Sequence, residues 1–169
     1  MVGVPGDTDI RPGSPIGNAA IAYIQETGSP KANIPPRPFL RPTVKAEQKS
    51  IQVWLKRAGE RAMEGDQVGV LKMLTALGLF TVSAVRKRIR DDIPPPLSPR
   101  TIAARIARRK SKSWRAKRTA QVAANVAAGK SPQSGLFIAL IDTGELLNSI
   151  TFVIRKRGSS RNLVVGKKL

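Results

Sequence analysis

The sequence contains no cysteine and no histidine. Without cysteine there is no disulfide, no thiolate nucleophile and no sulfur ligand for a metal. Without histidine the commonest general base and a leading transition-metal ligand are missing as well. Aromatic residues are sparse at 4%, and eleven Asp and Glu face thirty Lys and Arg. Neither GxGxxG nor GxxxxGK followed by Ser or Thr occurs, so no phosphate-cradling loop is encoded. No uninterrupted run approaches the roughly 18 apolar residues of a membrane span. The start, Met1-Val2-Gly3-Val4-Pro5, lacks the charged and apolar regions of a signal peptide. These absences point to a soluble chain made in a cytoplasm, with no cofactor and no metal, and not to an enzyme.

The few carboxylates do not rescue a catalytic reading. Asp7 and Asp9 fall in a Gly/Pro-rich loop, and Asp91-Asp92 end a helical pattern where adjacent side chains do not converge. Asp142 and Glu145, three apart, resemble a helix cap rather than an acid–base pair.

Charge is what the chain has in abundance. The net charge is +19, and between Asp92 and Asp142 there is no acid at all. That interval carries Arg100, Arg105, Arg108, Arg109, Lys110, Lys112, Arg115, Lys117, Arg118 and Lys130. A field of one sign opposes compaction by self-repulsion and favours a polyanionic partner, either nucleic acid or an acidic protein surface. The candidate contacts are Arg105, Arg108, Arg109, Lys110, Lys112, Arg115, Lys117 and Arg118, with Trp114 interleaved as a candidate stacking group.

At 169 residues the chain fits a single domain spanning 1–169. Met1 to Val4 reads as a short strand and Asn18 to Glu26 as a short helix stopped by Gly28 and Pro30. Residues 28–42 are punctuated by prolines that exclude regular helix and central strand, so an extended arm is expected. Ile51, Trp54, Leu55, Ala58 and Ala62 then recur on one helical stripe, with Gly65 and Asp66 as stop and start signals. Leu71, Leu74, Val82, Val85 and Ile89 form a second stripe that also holds Gly78, where close packing is expected because a mid-helix Gly costs about 1 kcal/mol against Ala. The two helices read as an antiparallel pair. Ser98-Pro99 restarts a helix as N-cap and first residue. Residues 98–134 read as a basic, Ala-rich helical segment; its alanine-rich part 119–128 has few large apolar groups, so the order of that part is expected to depend on partners. Leu136 to Ile141 is an apolar run, and Gly144 to Ser149 a short helix capped by Asp142 and Glu145. Ile150 to Arg157 and Asn162 to Val165 read as a hairpin turned at Gly158 to Ser160, pairing with the chain start. The expected fold class is α+β: long helices packed on a small antiparallel sheet, with an extended Pro-rich arm.

Three segments together resemble a known family. Asn18-Ala19-Ala20-Ile21-Ala22-Tyr23-Ile24-Gln25-Glu26-Thr27-Gly28, followed by Asn33-Ile34-Pro35-Pro36-Arg37-Pro38-Phe39-Leu40-Arg41-Pro42, is similar to the first signature of tail-completion proteins of long-tailed bacteriophages. Pro96-Leu97-Ser98-Pro99-Arg100-Thr101-Ile102 and Leu140-Ile141-Asp142-Thr143-Gly144-Glu145-Leu146-Leu147-Asn148-Ser149-Ile150 are similar to its second and third. The resemblance covers about residues 16–157, and the basic span 108–134 is longer than that family's usual link. It implies a virion protein of the phage head–tail junction, or neck, made in the host cytoplasm. The partners it implies are further copies of the chain in a hexameric ring, the tail terminator or tail tube, the head–tail connector and packaged DNA, with no membrane. In such a ring, Ile34, Arg37, Pro38, Phe39 and Leu40 would be an arm reaching a neighbouring subunit, and Asp142, Thr143, Gly144 and Glu145 a motif at a helix cap. The rival reading is a cellular nucleic-acid-binding structural protein of ribosomal or nucleoid type, supported by the same charge.

Overall fold

A computed structural model describes residues 1–5, 15–156 and 162–166. The fold is α+β, helices on a small antiparallel sheet. In chain order the elements are β1 (Val2–Gly3), α1 (Asn18–Thr27), α2 (Arg41–Ala46), α3 (Gln48–Met63), α4 (Gln67–Arg90), α5 (Pro99–Ala107), α6 (Lys112–Ala127), α7 (Glu145–Ser149), β2 (Thr151–Arg155) and β3 (Asn162–Val165). The strands lie in the order β1-β2-β3. Val2 pairs with Phe152, and Val153 with Val165. The terminal ammonium of Met1 donates to the Val153 carbonyl at 2.9 Å. The chain start therefore joins the C-terminal strands. The turn expected at 158–160, and Asp7 and Asp9, lie outside the described residues.

α3 and α4 form the expected antiparallel pair. Gly65, at φ +75°, turns the chain after α3, and the Asp66 carboxylate accepts from the Gly69 N–H at 2.8 Å to cap α4. The C-terminal half of α4 supplies the core: Val82, Val85 and Ile89 pack with Phe39, Ile93, Leu140, Ile150 and Phe152. Among the described residues, α4 is long and apolar enough by length and composition to cross a membrane, its polar residues being spaced rather than absent. It packs against α2, α3, β1 and β2, with 22% of its apolar stretch buried.

Several expectations are corrected. The arm does not extend away from the fold. A 3-10 turn at Pro30–Ala32 and the Ser29–Ile34 bridge fold it back, and its end starts α2, with Pro42 in the first turn, where a missing N–H costs nothing. Residues 136–141 form turns closed by an Ile138–Ile141 bridge. The Ala-rich segment is helical as expected: α6 packs through Trp114 and Val122, with Phe137, around Leu97, Ile102, Ile106 and Ala139.

Candidate functional site

The acid-free segment folds into a corner made by α5, α6 and the link between them. Local signals place both helices. The Ser98 hydroxyl accepts from the Thr101 N–H at 3.2 Å with Pro99 in the first turn, and the Ser111 hydroxyl accepts from the Trp114 N–H at 3.3 Å. Neither helix has an acid in its first turn.

The candidate contact residues separate into two groups. Arg105 is structural rather than available to a partner: its side chain is only 10% exposed. It donates to the carbonyls of Ile138, Ala139 and Ile141 at 2.8–3.0 Å, tying α5 to the 138–141 turns. Burial pulls its pKa below the ordinary arginine value, and Asp142 beside it opposes that shift. Arg108 donates to the Asp142 carboxylate at 2.6 Å. Arg109 and Arg118 lie over opposite sides of the sequence position of Trp114 along the chain and both stack on its ring, 5.6 and 5.4 Å from the centroid. Trp114 is half-buried between α5 and α6, which removes it as a free stacking platform for bases. The second group is Lys110, Lys112, Arg115 and Lys117, to which Arg100 is added. Their side chains meet no protein partner among the described residues, and all but the half-buried Arg115 are exposed.

The arm residues are placed inside this chain rather than towards another subunit. Phe39 is 3% exposed and belongs to the main core, with Leu40 packed beside it. Arg37 is buried and donates to the carbonyls of Pro95 and Pro96 at 2.9 and 3.2 Å. Burial lowers its pKa, with Asp92 opposing. Ile34 is half-buried in the Ser29 bridge, and Pro38 is half-buried too. Proline and aromatic content marked this stretch as ordered by packing, but not on which chain.

The third motif is also reassigned. Asp142 does not cap α7; its carboxylate faces Arg105 at 3.7 Å and Arg108 at 2.6 Å. Gly144, at φ +84°, is the N-cap, and the Glu145 N–H donates to Thr143 Oγ1 at 3.5 Å. Two carboxylates missed as functional positions prove central. Glu26 accepts from the backbone N–H groups of Phe39, Leu40 and Arg41 at 2.8–2.9 Å, capping the start of α2 across the arm. Asp92, at φ +53°, accepts from the Ala139 N–H at 2.9 Å and from Gln133 Nε2 at 2.5 Å, while Gln133 Oε1 accepts from the Leu97 N–H. No group of three or more Asp or Glu that would hold a metal occurs among the described residues.

A second feature lies away from the basic corner. α2, α3, α4 and the sheet leave an open apolar groove of about 430 Å³, lined by Val44, Ile51, Leu55, Leu74, Phe152 and Ile154 among others. Leu55 is 49% exposed and Val44 40%. No residue of the acid-free interval lines it. At the α3–α4 turn, Met63 is 91% and Val68 64% exposed.

Comparison with protein-family models, with curated proteins and with solved structures returned no match.

Proposed function

We propose that this chain is a structural protein of the phage head–tail junction that assembles with copies of itself into a ring joining tail to connector. The observation that carries the reading is the open groove. One side of the α3 stripe stays uncovered in the single chain, and exposed apolar surface of this kind marks an interaction site. Its lining excludes the acid-free interval, so copies can meet there without opposing that segment's cations directly.

The three family-like segments also depend on one another. Arg37 of the first holds Pro95 and Pro96 at the start of the second. α1 of the first packs on α7 of the third. The reading assigns no catalysis to the chain. A cellular nucleic-acid-binding protein would use the same basic corner but has no need of the groove.

Size-exclusion chromatography with light scattering, and negative-stain images with and without tail tubes, test the assignment. Rings that bind tail tubes or connectors are expected. A monomer at all concentrations with no affinity for either would remove it.

A further inference from the structure

The basic corner needs a partner whose chemistry matches what it exposes. α6 is sixteen residues long, about 24 Å at 1.5 Å per residue. Around its axis, Lys112, Ala116, Ala120, Ala123, Ala124 and Ala127 fall on the side opposite Trp114 and Val122, which pack inward. That outer side carries small, exposed residues with Lys112 and Lys117 at its flanks. Arg109 and Lys110 precede it, on the link after α5. An acidic protein partner would need buried aromatic or large apolar anchors at the centre of the contact, because such groups dominate protein–protein affinity. This face offers one such group, Val126 at its edge and 57% exposed, and its tryptophan is half-buried under two arginines. A contact made of cations around a low, small-residue surface suits a partner held by charge alone.

Lys112 occupies the first turn of α6, where the macrodipole is already positive and no acid balances it. Arg100 does the same in the first turn of α5. Each cation so placed is unfavourable at the positive end of its own helix, which an anion bound there would relieve.

We propose that this corner binds the sugar–phosphate backbone of double-stranded nucleic acid, chiefly through Lys110, Lys112 and Lys117 with Arg100, without reading sequence. Phosphate contacts of this kind position a protein on a duplex and draw their energy from counterion release. Arg105 is excluded because its donors are engaged by carbonyls. Base stacking is excluded because Trp114 is covered. The inference is independent of the neck assignment, since a ring that forms yet ignores duplexes removes this inference alone, and a duplex-binding monomer removes the other alone.

The test measures binding of the full chain to a fluorescent duplex DNA and to a duplex of permuted sequence across a salt series. The comparison is with the triple variant Lys110→Gln, Lys112→Gln, Lys117→Gln and with a control triple of equal charge change, Lys45→Gln, Lys49→Gln, Lys72→Gln. All six lysines are exposed, and circular dichroism checks that both triples stay folded. The two duplexes should bind equally. The corner triple should flatten the plot of log K against log salt by about 2.7, at about 0.9 per phosphate lost, and weaken binding by roughly two orders of magnitude near 100 mM salt. Equal losses in both triples would mean that net charge alone is responsible, and would overturn the proposal. So would a wild-type salt slope too shallow for three phosphates, a preference between the duplexes, or tighter binding to poly-glutamate than to duplex.

Discussion

Gly78 and Phe152 meet face to face across the contact of α4 with the sheet, so that a Cβ added at 78 would lie 2.4 Å from the ring. The ring occupies the space that a side chain would need, and it lies against both Gly78 and Gly166. Gly78→Ala would gain about 1 kcal/mol of helix propensity. It would also force an overpacked contact in the core, which costs about 1–3 kcal/mol and more where the opposing atom is a buried ring. Net destabilisation is the expected sign in a urea melt. Pairing Gly78→Ala with Phe152→Leu should recover part of the loss, giving a coupled rather than additive double-mutant cycle.

Glu26 carries a second prediction. Three backbone N–H groups at 39–41 converge on its carboxylate. Glu26→Ala should cost about 1–3 kcal/mol, the penalty for leaving partly buried donors unsatisfied, and Glu26→Gln less because one acceptor oxygen remains. Thermal unfolding of the two variants gives the order directly. Equal losses would mean that the one oxygen kept by Gln contributes nothing and that the charge and the second oxygen carry the whole effect.

Arg105 separates structure from binding. Lysine keeps the charge but not the planar fork that reaches three carbonyls, so Arg105→Lys should destabilise nearly as much as Arg105→Ala, by about 1–3 kcal/mol. Under conditions where Arg105→Lys stays folded, its affinity for duplex DNA should equal wild type. A loss of affinity without a loss of stability would return Arg105 to the contact surface.

Leu55 tests the groove. Being half exposed, it contributes little to the fold of the single chain, so Leu55→Glu should change stability by no more than about 0.5 kcal/mol. In light scattering the same variant should stay monomeric where wild type assembles, because a carboxylate in an apolar contact is desolvated without a partner.

What could be read in advance follows the range of the interaction. Ser98, Asp66 and Gly65 were legible as helix punctuation because each acts within three or four residues. Gly78 was legible as a close-packing site because a costly residue on an apolar stripe needs a reason, though nothing local named Phe152. The pairing of the chain start with the last strands followed from the need of a lone hairpin for a further strand. The misplaced charges have partners distant in sequence. Asp142 looked like a cap because Glu145 stands three residues on, yet its partners are Arg105 and Arg108, brought over by the turns at 138–141. Arg105 looked like one cation in a run because no pattern marks which arginine will meet three carbonyls more than thirty residues away. Pro42 read as the end of an extended arm, although the same proline fits the first turn of a helix equally well.

The bonds at Asp92 and Gln133 have a consequence for how this chain can vary. Gln133 holds Asp92 and Leu97 at once, and Asp92 also holds Ala139. Everything from Ser98 to Pro132 leaves and returns at one clasp, as a cassette plugged into a socket. Lengthening a closed excursion is cheap, about 0.6 kcal/mol per doubling. The length and outer charge of this excursion can therefore change at little closure cost, provided that the Arg105 bonds to 138–141 and the packing of Ile102 and Ile106 on Ala139 are kept.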